Sequence, residues 1–117
     1  MSDDTAIAPE RAAELLQDGA QAIDVRTPEE HEAGHIASDR HVPLDEVDGA
    51  AGSLDRSAPV IFYCRGGERS AMAAEAFAAS GWSAHSIEGG LVAWAEKGLP
   101  LEPADGEVAD RSNLPPR

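Results

Sequence analysis

The chain of 117 residues is poor in three things: it has one cysteine, Cys64, one lysine, Lys97, and few aromatics, with two Trp, one Tyr and two Phe. A single thiol excludes an internal disulfide and any multi-cysteine metal site. No apolar run is long enough to span a membrane. The opening "MSDDTAIAPE" is acidic and lacks an apolar h-region, so a signal peptide is not expected. The expected compartment is a reducing cytosol, where a lone thiol stays available for chemistry. Basic charge is scarce too: 22 Asp and Glu face 9 Lys and Arg, a net charge of -13. Such a chain is not expected to bind nucleic acid or an anionic membrane. The acidity fits an ordinary soluble surface, or a high-salt cytosol in which self-repulsion is screened.

The length suits one domain with a core of its own. Residues 7–19, "IAPERAAELLQDG", predict a helix with Pro9 in its first turn and Gly19 as a stop. "AQAIDV" predicts a buried strand. "TPEEHEAG" predicts a short helix with Thr27 as N-cap, Pro28 at the first position and acids in the first turn. "RHVPL" is a weak strand, and "LDEVDGAAGSL" a marginal helix followed by a loop. "APVIFYC" carries the strongest strand signal and "SAMAAEAFAASG" the strongest helix signal. In that helix, Phe77 with Met72, Ala73 and Ala76 is expected to pack on a sheet. "SAHSIEGG" predicts another strand and "LVAWAEKG" a closing helix, with Trp82 and Trp94 as core or rim packing. Strands alternating with helices argue for an α/β layer fold with a mostly parallel sheet. Residues 1–102 form this domain, and polar, aperiodic residues 103–117 are expected to be a mobile tail.

In a parallel sheet, ligands gather outside the carboxyl ends of the strands. "DVR", "YCRGGERS" and "IEGG" all fall at such ends. Cys64 is delivered by a strand. Gly66 and Gly67 let successive N–H groups turn inward into an anion-binding nest. A helix starting near Ser70 adds its own unpaired N–H groups and the positive end of its dipole. Arg65 and Arg69 add full charges, and Glu68 opposes them. Together these groups favour negative charge on the sulfur and would hold an anionic substrate or an anionic group carried on it. A buried structural cysteine would need none of them.

"CRGGERS" closely resembles the active-site loop of the rhodanese family, single-domain sulfurtransferases. "IDVRTPEEHEAGHI" with "HVPL" is similar to the family's first signature, and "IEGGLVAWAEKGLPLE" to its closing one. The resemblance implies a five-stranded parallel sheet with helices on both faces. It makes Cys64 the nucleophile, which takes the outer sulfur of thiosulfate, releases sulfite and carries a persulfide to a thiol or other nucleophilic acceptor, a protein thiol included. Arg65, Gly66, Gly67, Glu68, Arg69 and Ser70 form the substrate cradle, and Asp24 and Arg26 support it, with Arg26 paired to Glu30 or Glu32. No cofactor and no metal are implied. Other readings stay open: a non-catalytic binding module, a dedicated sulfur carrier, or a phosphatase or arsenate reductase, since one branch of the fold hydrolyses phosphate. Only four residues, "RGGE", separate Cys64 from Arg69, against five in cysteine phosphatases, so the loop is expected to be too small for a phosphoryl group.

Besides Glu68 inside the loop, two stretches depart from the family pattern. "ASD" follows "GHI" where Pro-Gly-Ala is usual, which adds Asp39, and His31 replaces an aromatic residue. His35 is expected to pack or cap. His31 and His35 stand at i, i+4 but straddle Gly34 and lack a further ligand in the sequence, so they are not expected to hold a metal.

Overall fold

A computed structural model describes residues 5–102. The expected tail, 103–117, lies outside the described residues. Five strands form one sheet: β1 (Ala6–Ile7), β2 (Gln21–Asp24), β3 (Arg40–His41), β4 (Val60–Tyr63) and β5 (Ala84–Ile87). Their order is β1-β5-β4-β2-β3, and every pairing is parallel. The helices are α1 (Pro9–Gln17), α2 (Pro28–Ala33), α3 (Val47–Ala50), α4 (Glu68–Ala79) and α5 (Gly90–Glu96), with 3-10 turns at Leu44–Glu46 and Ala51–Ser53.

β4 is central, and its residues are completely buried. Side chains alternate across a strand, so β4 feeds two cores. Val60, Phe62 and Cys64 pack with Val47 of α3 and with Ala73, Ala74 and Phe77 of α4. Ile61 and Tyr63 pack with Ala12 of α1 and with Leu91 and Trp94 of α5. Helices therefore cover both faces, as expected. Cys64 and Tyr63 are neighbours in the chain but face opposite layers.

Three expectations need correction. The first helix begins at Pro9, because Ala6 and Ile7 form an edge strand that pairs with Ser86 and Ile87. A strand of two residues has no periodicity to read. The second concerns α4: Met72 is 65% exposed and Ala76 is exposed too. The buried stripe is Ser70, Ala73, Ala74 and Phe77, an i, i+3, i+4, i+7 set that starts from the serine beneath the sulfur. Third, that helix starts at Glu68, two residues early, which puts the acid of the loop in its first turn, where the dipole favours it.

Candidate active site

β4 ends at Tyr63 and delivers Cys64, which is 1% exposed. The Cys64 Sγ accepts hydrogen bonds from the backbone N–H of Gly67 at 3.1 Å and of Ser70 at 3.4 Å. Ser70 Oγ lies 3.5 Å from the sulfur and donates to the Gly67 carbonyl at 3.2 Å. Gly67 caps α4 with φ +108°, a left-handed conformation that costs a side chain but not a glycine. The first N–H groups of α4 lack partners within the helix, and this turn aims one of them, that of Ser70, at the sulfur.

A second helix start fixes the other side of the loop. Leu91 N–H donates to the Cys64 carbonyl at 2.8 Å, and Val92 N–H to the Arg65 carbonyl at 3.1 Å. With its carbonyls tied to α5, the loop can turn its amides toward the sulfur. Gly90, with φ +64°, makes the approach possible: a Cβ there would lie 2.4 Å from the Arg65 carbonyl oxygen and 2.6 Å from that of Cys64. Gly90 was absent from the sequence-based site. Its signal was the Gly pair closing "IEGG" at a strand end.

Arg69 is held by Glu30 of α2. Its two Nη atoms donate to the two carboxylate oxygens at 3.0 and 3.1 Å. Glu30 is 2% exposed and also closes a capping box with Thr27. This corrects the expected partner of Arg26: Glu30 pairs with Arg69 across the site. Arg26 instead donates from Nε and Nη2 to the two oxygens of Asp24, both at 2.8 Å, and from Nη2 to the Gly34 carbonyl at 2.7 Å. Asp24 and Arg26 are both fully buried. A buried bidentate pair ties the β2–α2 corner together, and α2 in turn presents Glu30 to Arg69.

Burial pushes the Glu30 carboxyl up, but the Arg69 hydrogen bonds, the Thr27 N–H and the Arg69 charge outweigh it and bring it from 4.5 down to about 2. A carboxylate depressed in the folded state adds stability above its unfolded value and loses it as pH falls through the folded one. The thermal midpoint should therefore fall between about pH 4.5 and pH 2. Glu30→Gln should lose most at neutral pH, and its deficit against the parent should shrink across that window. A deficit that stays constant with pH would show that the charge of Glu30 is not what stabilises.

The loop borders an open groove of about 1160 Å³. Arg65, Gly66, Glu68 and Arg69 line one side; Thr27, Pro28 and residues 43–46 line the other. The second side was not identified from the sequence, because nothing local ties residues 43–46 to the cysteine.

Behind the β2–α2 corner lies a histidine cluster. His31 Nδ1 is 2.8 Å from Asp24 Oδ2 and 3.7 Å from Asp39 Oδ2. His35 Nδ1 is 3.1 Å from Asp39 Oδ1. The Tyr63 hydroxyl donates to Asp39 and accepts from Ile36 N–H. Burial raises the Asp39 carboxyl, against the pull of the Tyr63 hydrogen bond. The sequence left the histidine pair without a further candidate ligand, whereas the fold sets Asp39 beside it.

The sequence matches the rhodanese-like domain family over residues 8–97. It is 35% identical over 103 residues to the thiosulfate sulfurtransferase GlpE of Pseudomonas paraeruginosa, covering 87% of this chain and 93% of that one. A rhodanese-related protein of Thermoplasma volcanium superposes with a TM-score of 0.76 at 30% identity, covering 82% of this chain and 95% of its own. A Rhodopseudomonas palustris protein described as "possible tyrosine phosphatase" superposes with a TM-score of 0.71 at 27% identity, covering 83% of each chain. With a parallel sheet in the order β1-β5-β4-β2-β3, and with the family match running through the cysteine loop, the chain belongs to the rhodanese-like family.

Proposed function

We propose that the protein moves sulfane sulfur from thiosulfate, or from another anionic persulfide donor, to a thiophilic acceptor through a persulfide on Cys64. The observation that carries this reading is the sulfur itself, buried at a strand end with two backbone N–H groups donating to it. The Cys64 thiolate attacks the outer sulfur of thiosulfate. The new S–S bond forms as the old one breaks, and its electron pair leaves on sulfite. The persulfide keeps one negative charge, stabilised by preorganised amides that need no reorganisation. Arg65 and the α4 start supply positive potential at the mouth of the groove, and Arg69, held by Glu30, braces the loop. An acceptor thiol, whether of a small molecule or of a protein, then takes the sulfur. The groove is open enough for either. A reducing cytosol suits a carrier whose one thiol must return to its reduced state.

The structural neighbour described as a possible tyrosine phosphatase makes hydrolysis the rival reading. The loop supports sulfur transfer. The amides of Gly67 and Ser70 converge on Sγ, whereas a phosphatase loop must surround an oxyanion centred one bond beyond the sulfur. A phosphoryl group displaced by about 1 Å from in-line geometry loses on the order of 100-fold in rate. Assayed side by side, the protein should form thiocyanate from thiosulfate and cyanide and release negligible phosphate from an aryl phosphate. Faster Cys64-dependent phosphate release would overturn the proposal.

A further inference from the structure

We propose that His31, His35 and Asp39 form a binding site for a divalent first-row transition-metal ion, on the face of the sheet away from Cys64. Each of the three offers one ligand atom, and these atoms lie within 4.8 Å of one another. His35 Nδ1 lies 3.1 Å from Asp39 Oδ1 and His31 Nδ1 lies 3.7 Å from Asp39 Oδ2, separations close to a coordination edge. Ligands about 2.0–2.1 Å from a tetrahedral ion stand roughly 3.4 Å apart. Two imidazoles and one carboxylate suit zinc, cobalt, nickel or iron rather than calcium or magnesium, which prefer oxygen alone.

Three further features favour a site over a chance meeting. The Asp39 carboxylate is 3% exposed and its ion-pair partners are the two histidines, while the guanidinium of Arg26 is paired to Asp24. A cation would balance the remaining charge. Outer partners are already placed: the Tyr63 hydroxyl donates to Asp39, and Ile36 N–H fixes that hydroxyl at 3.0 Å. Such partners orient metal ligands and add to affinity. Access is open as well, since the His31 and His35 side chains are 20% and 25% exposed.

The rings are stacked, with centroids 4.0 Å apart and planes 16° from parallel. Their nitrogen lone pairs therefore do not yet converge. Capture turns one ring about its terminal torsion, which is broad for histidine. Three protein ligands leave a fourth position for water, an open site rather than a closed structural one. His31 and Asp39, two of the residues at which the chain departs from the family pattern, both lie beside His35 in the fold.

The test uses full-length Cys64→Ser protein, so that no thiol can take the metal. Cobalt(II) titration should give the visible d–d absorption of a low-coordinate ion, saturating at one equivalent, and zinc(II) should displace it. His31→Gln and His35→Gln should each weaken cobalt binding by more than the roughly 10- to 100-fold cost of losing an outer-shell partner. His85→Gln, on β5, should leave it unchanged. Zinc should raise the thermal midpoint of the parent and not of the two histidine variants. Melting curves without metal show that the variants are folded. Absence of cobalt binding, or binding that survives both histidine substitutions, overturns the proposal.

Discussion

Mixed with thiosulfate, the protein should gain ~32 Da, the mass of one sulfur atom held as a persulfide, and cyanide should remove it. Cys64→Ser should gain nothing, and turnover should fall on the order of 10⁴-fold or more, the scale of losing a covalent nucleophile. The effect is large because the chain holds no second thiol. The serine hydroxyl does not ionise at neutral pH, and the groups that hold the sulfur, the N–H donors of Gly67 and Ser70 and the Ser70 hydroxyl, are not bases that could take its proton. Amides can stabilise a charge that already exists on sulfur, but they cannot remove a proton from oxygen. Intact mass spectrometry reads the result directly. An unmodified parent mass after thiosulfate, with sulfite absent from solution, would remove the persulfide from the mechanism. A gain of mass in Cys64→Ser would move the sulfur to another group.

The parts of this site that were legible in the sequence are those built from consecutive residues. Strand β4, its cysteine, the two glycines and the start of α4 lie within a dozen positions, so hydrophobic run, turn chemistry and helix signals could be read together. The Thr27 cap and Pro28 announced α2 in the same way, and the capping box is present. What lay hidden depends on contacts between distant segments. Arg69 meets Glu30 across 39 residues, and no local signal chooses between Arg26 and Arg69 as the partner of that acid. One buried arginine, one half-buried arginine and two buried acids allow two pairings. The choice falls to the short span from Asp24 to Arg26, which closes one pair within the β2 corner and leaves Glu30 for the loop. Asp39 was visible as an odd acid, but its meeting with His31 and His35 needed the turn after α2. Edge strand β1 gave no signal, because two residues carry no period and its pairing with β5 joins positions about 80 apart.

Gly90→Ala should be among the most damaging single-methyl changes in the described chain, although Gly90 touches no substrate in the proposed mechanism. Two costs combine there. An alanine at φ +64° occupies the left-handed region, at about 1–2 kcal/mol. Its Cβ would also lie 2.4 Å from the Arg65 carbonyl oxygen and 2.6 Å from the carbonyl carbon beside it. These are backbone atoms that cannot rotate away, so α5 and the cysteine loop must separate, an overpacking cost of typically about 1–3 kcal/mol. Gly98 separates the two effects. It also has positive φ, +74°, but a Cβ there meets nothing within 4 Å. Gly98→Ala should thus pay the backbone term alone and keep its activity. Gly90→Ala should lose about 2–5 kcal/mol in urea unfolding, the sum of both terms. It should also lose sulfur transfer out of proportion to the fraction unfolded. The reason lies in the hydrogen bonds from Leu91 to the Cys64 carbonyl and from Val92 to the Arg65 carbonyl. Pushing α5 outward lengthens both, frees the two carbonyls and lets the loop amides swing off the sulfur. A displacement of about 1 Å at a reacting centre costs on the order of 100-fold, so kcat/KM for thiosulfate should drop by about that factor in protein that is still folded. Equal stability and equal activity in the two alanine variants would mean that the loop does not need α5 at its back.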